Sequence, residues 1–310
     1  MRIVVAGGTG LIGQALAADL ADAGWDVVVL TRDPAKPGSP GNGVRWVGWD
    51  GRTVGAWAQE INGAQAVVNL AGVSIAGDSL PSILFGRWTR DKKQAIRASR
   101  VESGQALTQA IRQASQRPAV FVQASGVNLY GENHAGPVDE TVPPGGDFLA
   151  TVCVDWEASS KDVDGLGIRR VIVRSGVVLS AGGGILPMIA LPFRLMVGGR
   201  LGSGQQWVPW IDLRDEVAAI RFLIERPDAT GPFNLVAPET ARSDAFGRAV
   251  GGALHRPFWF PTPAFLLRLM LGEKAMLVLD GCQIVPQRLQ NLGFSFRFPT
   301  PEQSLDDQYR

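Results

Sequence analysis

The chain has 310 residues, 45% of them apolar and 19% charged, enough for one large or two modest folded domains and too apolar for a disordered polymer. Against 30 basic residues stand 29 acidic ones, and the net charge of +1 gives no reason to expect a nucleic-acid partner. Two His and two Cys are too few for a dedicated zinc site, so no metal is expected, and Cys153 and Cys282 lack CxxC spacing, which points to a reducing, cytoplasmic setting.

Met1-Arg2 leads straight into an apolar run, leaving no room for a leader peptide. No stretch reaches the roughly 18 uninterrupted apolar residues of a transmembrane segment. The nearest, 184–199 and 258–271, are broken by prolines and by Arg194 and Arg268.

Six short runs are apolar almost throughout: Ile3–Ala6, Val27–Leu30, Val44–Val47, Ala66–Leu70, Ala119–Gln123 and Arg170–Arg174. Such runs suit parallel strands buried on both faces. Helical patterns fall between them at Leu11–Ala23, Arg90–Ser115 and Phe148–Leu166. This alternation predicts an α/β fold, a Rossmann-type doubly wound parallel sheet, over residues 1–180. Beyond 180 glycine and proline become frequent, and helical patterns recur at Asp215–Glu225, Ser243–Leu254 and, amphipathically, Ala264–Leu279. Residues 181–310 read as a smaller C-terminal substrate lobe, partly interleaved with the sheet.

Gly7-Gly8-Thr9-Gly10-Leu11-Ile12-Gly13 sits between the first strand and the first helix. In that setting the first glycine makes a tight turn, the second lets backbone approach a pyrophosphate, and the third lets helix and strand pack closely. The helix N-terminus adds N–H donors for the anion. Gly7, Thr9, Gly10, Leu11, Ile12 and Gly13 are therefore candidate dinucleotide contacts.

The second strand ends in Thr31-Arg32 where an NAD site usually places an acid. A hydroxyl and a guanidinium suit a 2′-phosphate, so NADP(H) is preferred over NAD(H), the alternative being that Arg32 is a solvated surface residue. Asp33-Pro34 reads as an N-cap followed by proline at the first helical position. Asp50 is a candidate for the adenine amine or a turn residue before Gly51. Leu70, Ala71 and Gly72 close the fourth strand with residues that let a cofactor lie across the sheet edge.

Together these features resemble the extended short-chain dehydrogenase/reductase superfamily. Within it the chain is similar to an atypical, cell-division-inhibitor-like subgroup of the NAD-dependent epimerase family. The resemblance runs through Gly7–Gly13, Thr31–Pro34, Asn69–Gly72, Arg87-Trp88-Thr89, Ser99-Arg100-Val101, Tyr130-Gly131, Cys153–Glu157, Arg174–Leu179, Gly202–Trp207 and Trp210-Ile211. The tail at about 257–301 resembles the subgroup's C-terminal domain of unknown function.

The resemblance implies a Tyr-x-x-x-Lys dyad with an upstream Ser or Thr. The chain has two tyrosines and neither has a lysine four residues on. Superfamily members place a Glu four residues after the lysine and an Arg-ended strand beyond it. Glu157 and Arg174 fit that frame, which puts Leu149 at the tyrosine position and Cys153 at the lysine position. Ser125 matches the superfamily serine, and Tyr130 is the remaining phenol, either a proton donor or a cap on the pocket wall. Glu132 and Asp155 are carboxylate alternatives. Cys153 is a cofactor contact by close packing or a buried small hydrophobe.

On the substrate side, Gln206, Trp207 and Trp210 offer indole faces and an amide to a small-molecule substrate, or fill the lobe interface. Relatives usually carry His where this chain has Asp212. Residues 78–86 look like an insertion, a lid or contact surface, or surface decoration. The amphipathic stretch Ala264–Leu279 either packs on its own domain or attaches to a membrane surface. The implied activity is that of an NADP(H)-binding oxidoreductase or epimerase-type enzyme, with a non-catalytic NADP(H)-responsive protein as the alternative, as monomer or homodimer.

Overall fold

A computed structural model describes residues 1–35, 43–77, 79–132, 134 and 136–310, without the side chains of Leu80 and Leu84. Strands β1 (Arg2–Ala6), β2 (Asp26–Thr31), β3 (Val44–Gly48), β4 (Ala66–Asn69), β5 (Val120–Gly126) and β6 (Arg169–Ser175) form the sheet expected from the sequence. Short β7 (Val177–Leu179), β8 (Trp207–Val208) and β9 (Trp210–Asp212) follow, then β10 (Gly231–Leu235) and β11 (Ala241–Arg242). The main sheet has seven strands in the order β10-β6-β5-β4-β1-β2-β3, with every neighbouring pair parallel. Its last strand therefore comes from beyond residue 180. As an edge strand it tolerates Pro232, which donates no ladder bond.

Helices α1 (Leu11–Asp22), α2 (Leu80–Phe85), α3 (Arg90–Gln113), α4 (Phe148–Ala158), α5 (Leu186–Arg194), α6 (Leu213–Glu225) and α7 (Ser243–Ala253) surround the sheet and the second lobe. The tail adds α8 (Ala264–Leu271), α9 (Met276–Leu279), α10 (Gln287–Asn291) and α11 (Pro301–Tyr309). Ile3, Val5, Val27 and Val29 pack on one face with Leu16 and Leu20 of α1 and Ile220 and Leu223 of α6. Val4, Ala6, Val28 and Leu30 pack on the other with Leu107 and Ile111 of α3. Alternate residues of one strand thus enter different cores, which is why the strands are apolar throughout.

Two predicted helices are interrupted. The stretch 148–166 breaks after α4, where the hydroxyls of Ser159 and Ser160 donate back to the carbonyls of Trp156 and Glu157 and the chain continues as a 3-10 turn, Lys161–Leu166. The stretch 264–279 breaks at Gly272, which adopts a φ of +59°. Asp33 accepts from the Ala35 amide at 3.2 Å and closes a turn there. The continuation of the helix expected after Pro34 lies outside the described residues.

Candidate functional site

The strand order reverses between β1 and β4, and both strands end at the same edge of the sheet. That reversal opens a crevice where α/β sheets take ligands. Gly7 turns out of β1 with a φ of +80°, and a Cβ there would lie 2.6 Å from the carbonyl carbon and oxygen of Leu70, at the end of β4. A Cβ on Gly13 would lie 2.3 Å from the Gly7 carbonyl oxygen, so the helix needs glycine to approach the loop. Gly10 differs. A Cβ there would meet only the Gly7 carbonyl oxygen, at 3.4 Å, and its outer side is open. Gly10 caps α1 without a side-chain partner, and no acid occupies the first turn, so the amides at this end face the crevice unclaimed by side chains. Gln14 Nε2 donates to the Thr9 carbonyl at 2.9 Å and braces the loop. From the far side, Gly183 and Gly184 press on the Leu11 side chain, which brings the loop after β7 over the same crevice.

At the tip of β2 the Thr31 hydroxyl accepts from the Asp33 amide at 3.2 Å. Arg32 is exposed and has neither an ion pair nor a hydrogen bond among the described residues. The Asp33 carboxylate is turned into its own loop. Asp50 is exposed and accepts from the amides of Arg52 and Thr53 and from the Thr53 hydroxyl, and these bonds hold its carboxyl down at about 2. Of the two readings for Asp50, the geometry favours the turn.

Deeper in the crevice, Leu70, Ala71 and Gly72 follow Asn69, a buried side chain held by Ser103 and Gln123. Gly72 sits on the guanidinium of Arg100, which a Cβ would approach to 3.1 Å. Arg100 is buried, donates to the carbonyls of Val73 and Ile96 at 3.0 Å, lies over the Trp156 ring, and has no carboxylate partner among the described residues. Burial draws it down to about 10. Sequence reasoning quoted Arg100 within a motif without giving it a role.

Ser125 ends β5 beside Arg174 of β6. Its hydroxyl is buried and has no nitrogen or oxygen partner among the described residues, its polar contact being the Cys153 thiol. Cys153 lies on α4, where burial pushes its thiol up to about 11, which makes it an inert apolar neighbour and no nucleophile. Leu149, one turn earlier, is buried in an apolar cluster with Trp88 and Ile96. The frame that located these positions is present in space: Arg174 grips Glu157 with two bonds, at 2.9 and 3.0 Å.

The same guanidinium reaches Tyr130. Arg174 Nη1 donates to the Tyr130 hydroxyl at 2.8 Å, and that hydroxyl donates to Asn234 Oδ1 at 2.7 Å. The phenol is buried, and burial raises it more than Arg174 lowers it. With its proton committed to Asn234 and its oxygen accepting from Arg174, the Tyr130 phenol is engaged inside the fold. This geometry favours a bracing position over the proton donor or pocket-wall cap expected from the sequence.

Between the lobes lies a cavity of about 360 Å³ whose lining includes His134, Gln205, Trp207, Arg242, Asp280 and Gln283. Trp207 is half-buried, with the Arg242 guanidinium 3.8 Å from its ring centroid. Gln206 reaches the cavity, yet its amide is spent on the carbonyls of Leu201 and Val278 at 3.1 and 2.9 Å. Trp210 does not line the cavity. It is fully buried in the second lobe, donating from Nε1 to the Glu239 carbonyl at 3.0 Å, because β9 turns its indole inward against β7. Asp212 is also internal, capping α6 and accepting from Arg214, Ser304 and Gln308.

The cavity wall at Asp280–Gln283 comes from the C-terminal tail, which sequence reasoning did not connect with the site. Val138 bridges to Ile284, and the Cys282 thiol donates to the Gly131 carbonyl. Asp280 shares a hydrogen bond with Glu132, whose carboxyl is raised by partial burial and by the charges of Asp280 and Asp147. Asp155, the other carboxylate alternative, is held by Arg97 at 2.6 Å on the outer side of α4. Residues 79–86 are pinned down: buried Lys274 donates to the carbonyls of Ser82 and Ile83 at the end of α2, at 2.8 and 2.7 Å. That favours a contact surface over a mobile lid, while Asp78 lies outside the described residues.

The model of the NAD dependent epimerase/dehydratase family matches residues 3–236, and that of a domain of unknown function, DUF1731, matches residues 262–308. The chain is 35% identical over 308 residues to the epimerase family protein SH2119 of Staphylococcus haemolyticus, covering 99% of this chain and 98% of that protein. It is 34% identical to the epimerase family protein MW0731 of Staphylococcus aureus at the same coverage. A crystal structure of the human epimerase family protein SDR39U1 with NADPH superposes with a TM-score of 0.87 at 33% identity, covering 100% of this chain and 99% of that one. The nucleoside-diphosphate sugar epimerase of Corynebacterium glutamicum gives 0.77 at 28% identity, covering 99% of this chain and 58% of that one.

Proposed function

Because the chain belongs to the NAD dependent epimerase/dehydratase family, we propose that it is an NADP(H)-dependent oxidoreductase that reduces a small carbonyl substrate held between its two lobes. The observation that carries this reading is the glycine loop at the open end of α1, with the buried Ser125 hydroxyl, which no nitrogen or oxygen satisfies, near the end of β5. A thiol satisfies a buried hydroxyl only weakly, and a bound carbonyl or ribose oxygen would satisfy it better. The cradle, the open helix end and the Ser125 hydroxyl all fit a dinucleotide.

When bound, the cofactor supplies a hydride to the carbonyl carbon and leaves as the oxidised form. The Gly7–Gly13 loop and Ile12 hold the pyrophosphate side, with backbone amides as donors. Arg32 and Thr31 receive the 2′-phosphate. Leu70, Ala71 and Gly72 form the floor, and Cys153 packs as an apolar wall. Arg100 places a positive charge beneath that floor, beside the position where the superfamily's lysine would stand.

Ser125 orients the substrate oxygen by donating to it. The proton that completes the alcohol comes from Glu132, whose carboxyl partial desolvation and the neighbouring Asp280 and Asp147 charges hold above the ordinary carboxylate range. Trp207 and Gln205 shape the substrate end of the cavity. The rate is then full while Glu132 holds its proton and falls as pH rises through its raised titration.

Leu149 and Cys153 at the dyad positions favour a second reading, a non-catalytic NADP(H)-responsive protein. NADPH carrying deuterium at C4, incubated with a panel of aldehydes and ketones, distinguishes them. Stereospecific transfer to at least one compound is expected. Tight NADPH binding without transfer to any would favour the second reading.

A further inference from the structure

The second lobe carries an apolar surface that the dinucleotide reading leaves unused. Leu195, Met196 and Val197 follow α5 as three consecutive exposed residues, and Met196 adopts a φ of +63°, a conformation that costs a non-glycine residue energy. This loop is pinned. The Trp259 indole donates to the Met196 carbonyl at 2.8 Å, and the amides of Trp259 and Phe260 donate to the Gly198 carbonyl. The two segments run together to Thr262, whose amide donates to the Arg200 carbonyl at 2.8 Å, and α8 begins immediately after. Along the outer side of α8, Phe265 is 71% and Leu269 68% exposed, while Trp259 just before it is 67% exposed. Phe85, at the end of α2, joins this face through Arg87, which donates to the Leu269 carbonyl. A rigid array of exposed Trp, Phe, Leu and Met on this scale marks an interaction site.

Charge identifies the occupant. From Ala181 to Ile211 and from Ala245 to Gly272 the sequence contains five arginines and no Asp or Glu. Arg194, Arg200, Arg256 and Arg268 are exposed, and none forms an ion pair among the described residues. Beside Trp259 a notch of about 200 Å³ is lined by Arg200, Arg248, Asp244 and Phe258. Asp244 is neutralised there by Arg248 at 2.9 Å, leaving Arg200 in surplus. A second copy meeting this face about a two-fold axis would bring arginines against arginines.

We propose that this face docks on the surface of a bilayer containing anionic lipids. Trp259, Phe260, Phe265 and Leu269 enter the headgroup boundary, and the surrounding arginines, with the Arg200 notch, hold lipid phosphates. Aromatic and aliphatic insertion combined with basic residues is the pattern of interfacial attachment, and no described helix is long and apolar enough to cross a membrane.

Co-sedimentation of the full chain with phosphatidylcholine vesicles, with and without phosphatidylglycerol, tests the proposal. The wild type is expected to bind anionic vesicles at least roughly tenfold more tightly than neutral ones, with binding weakened by salt. Trp259→Ser/Phe265→Ser and Arg200→Glu/Arg268→Glu, both at exposed positions and checked for unchanged thermal melting, are each expected to abolish it. Equal binding to both vesicle types, or no binding, overturns the proposal. So does a concentration-dependent dimer that the serine pair abolishes.

Discussion

The hydroxyl of Tyr130 lies 2.8 Å from Nη1 of Arg174, whose other nitrogens grip Glu157. The phenol is thereby part of a buried brace joining α4, β6 and the loop after β5, and Asn234 of β10 completes it. Tyr130→Phe is expected to keep kcat within about threefold while lowering stability by about 1–2 kcal/mol, since two partners lose a bond. Glu157→Gln, which strips the counter-ion from a buried guanidinium, is expected to cost about 3–5 kcal/mol. Chemical unfolding alongside turnover reads both. A loss of activity in Tyr130→Phe with stability intact would restore the phenol to the chemistry.

Ser125→Ala separates structure from function in the opposite sense. Removing a buried hydroxyl whose polar contact is the Cys153 thiol is expected to change the melting temperature little. Turnover is expected to fall by about 100-fold, the scale of one lost donor to a reacting oxygen. An unchanged kcat would remove Ser125 from the site.

Two glycines of one loop are expected to respond differently. Gly13→Ala forces a Cβ to within 2.3 Å of the Gly7 carbonyl oxygen and is expected to destabilise the fold by about 1–3 kcal/mol. Gly10→Glu meets open space, so the fold survives. A carboxylate at that helix end is expected to weaken NADPH binding by about 100-fold through repulsion of the pyrophosphate. Calorimetry of unfolding and of NADPH binding distinguishes the two effects.

Glu216 on α6 is fully buried, accepts from the Ser175 hydroxyl at 2.5 Å, and leaves its second oxygen unpartnered. Burial pushes its carboxyl up to about 8. A raised acid binds its proton more tightly in the folded chain, so its contribution to stability is full below about 4.5 and is lost as pH rises to about 8. Glu216→Gln is expected to be more stable than wild type at pH 8–9, by an amount on the order of a few kcal/mol, and to lose that advantage at acid pH. Urea unfolding at a series of pH values checks the sign, and a pH-independent difference would contradict the burial argument.

The parallel sheet was legible because buried parallel strands write continuous apolar runs, and the glycine loop because its spacing follows from close approach. The edge strand Gly231–Leu235 is not among the apolar runs of the sequence, because it carries a glycine, a proline and Asn234 and only two of its five residues are large and apolar. Trp210 was misread for a general reason: a sequence shows an indole in a glycine-rich loop but not which side of a two-residue strand it faces. Tyr130 was likewise identifiable by its scarcity, whereas its commitment to Arg174 depends on β5 and β6 lying side by side in register. The cavity wall from Asp280 to Gln283 lies about 150 residues from Glu132 in the chain, and only the tail's path along Gly131–Val138 joins them.

Calorimetric titration of NADPH and NADH into the wild-type chain and into Arg32→Glu tests the dinucleotide reading most directly. NADPH is expected to bind the wild type about 10- to 100-fold more tightly than NADH, a difference of about 1.4–2.7 kcal/mol, and the substitution is expected to erase that preference by weakening NADPH alone. Equal wild-type affinities would contradict the assignment of Arg32 to the 2′-phosphate, and failure to bind either nucleotide would contradict the site itself.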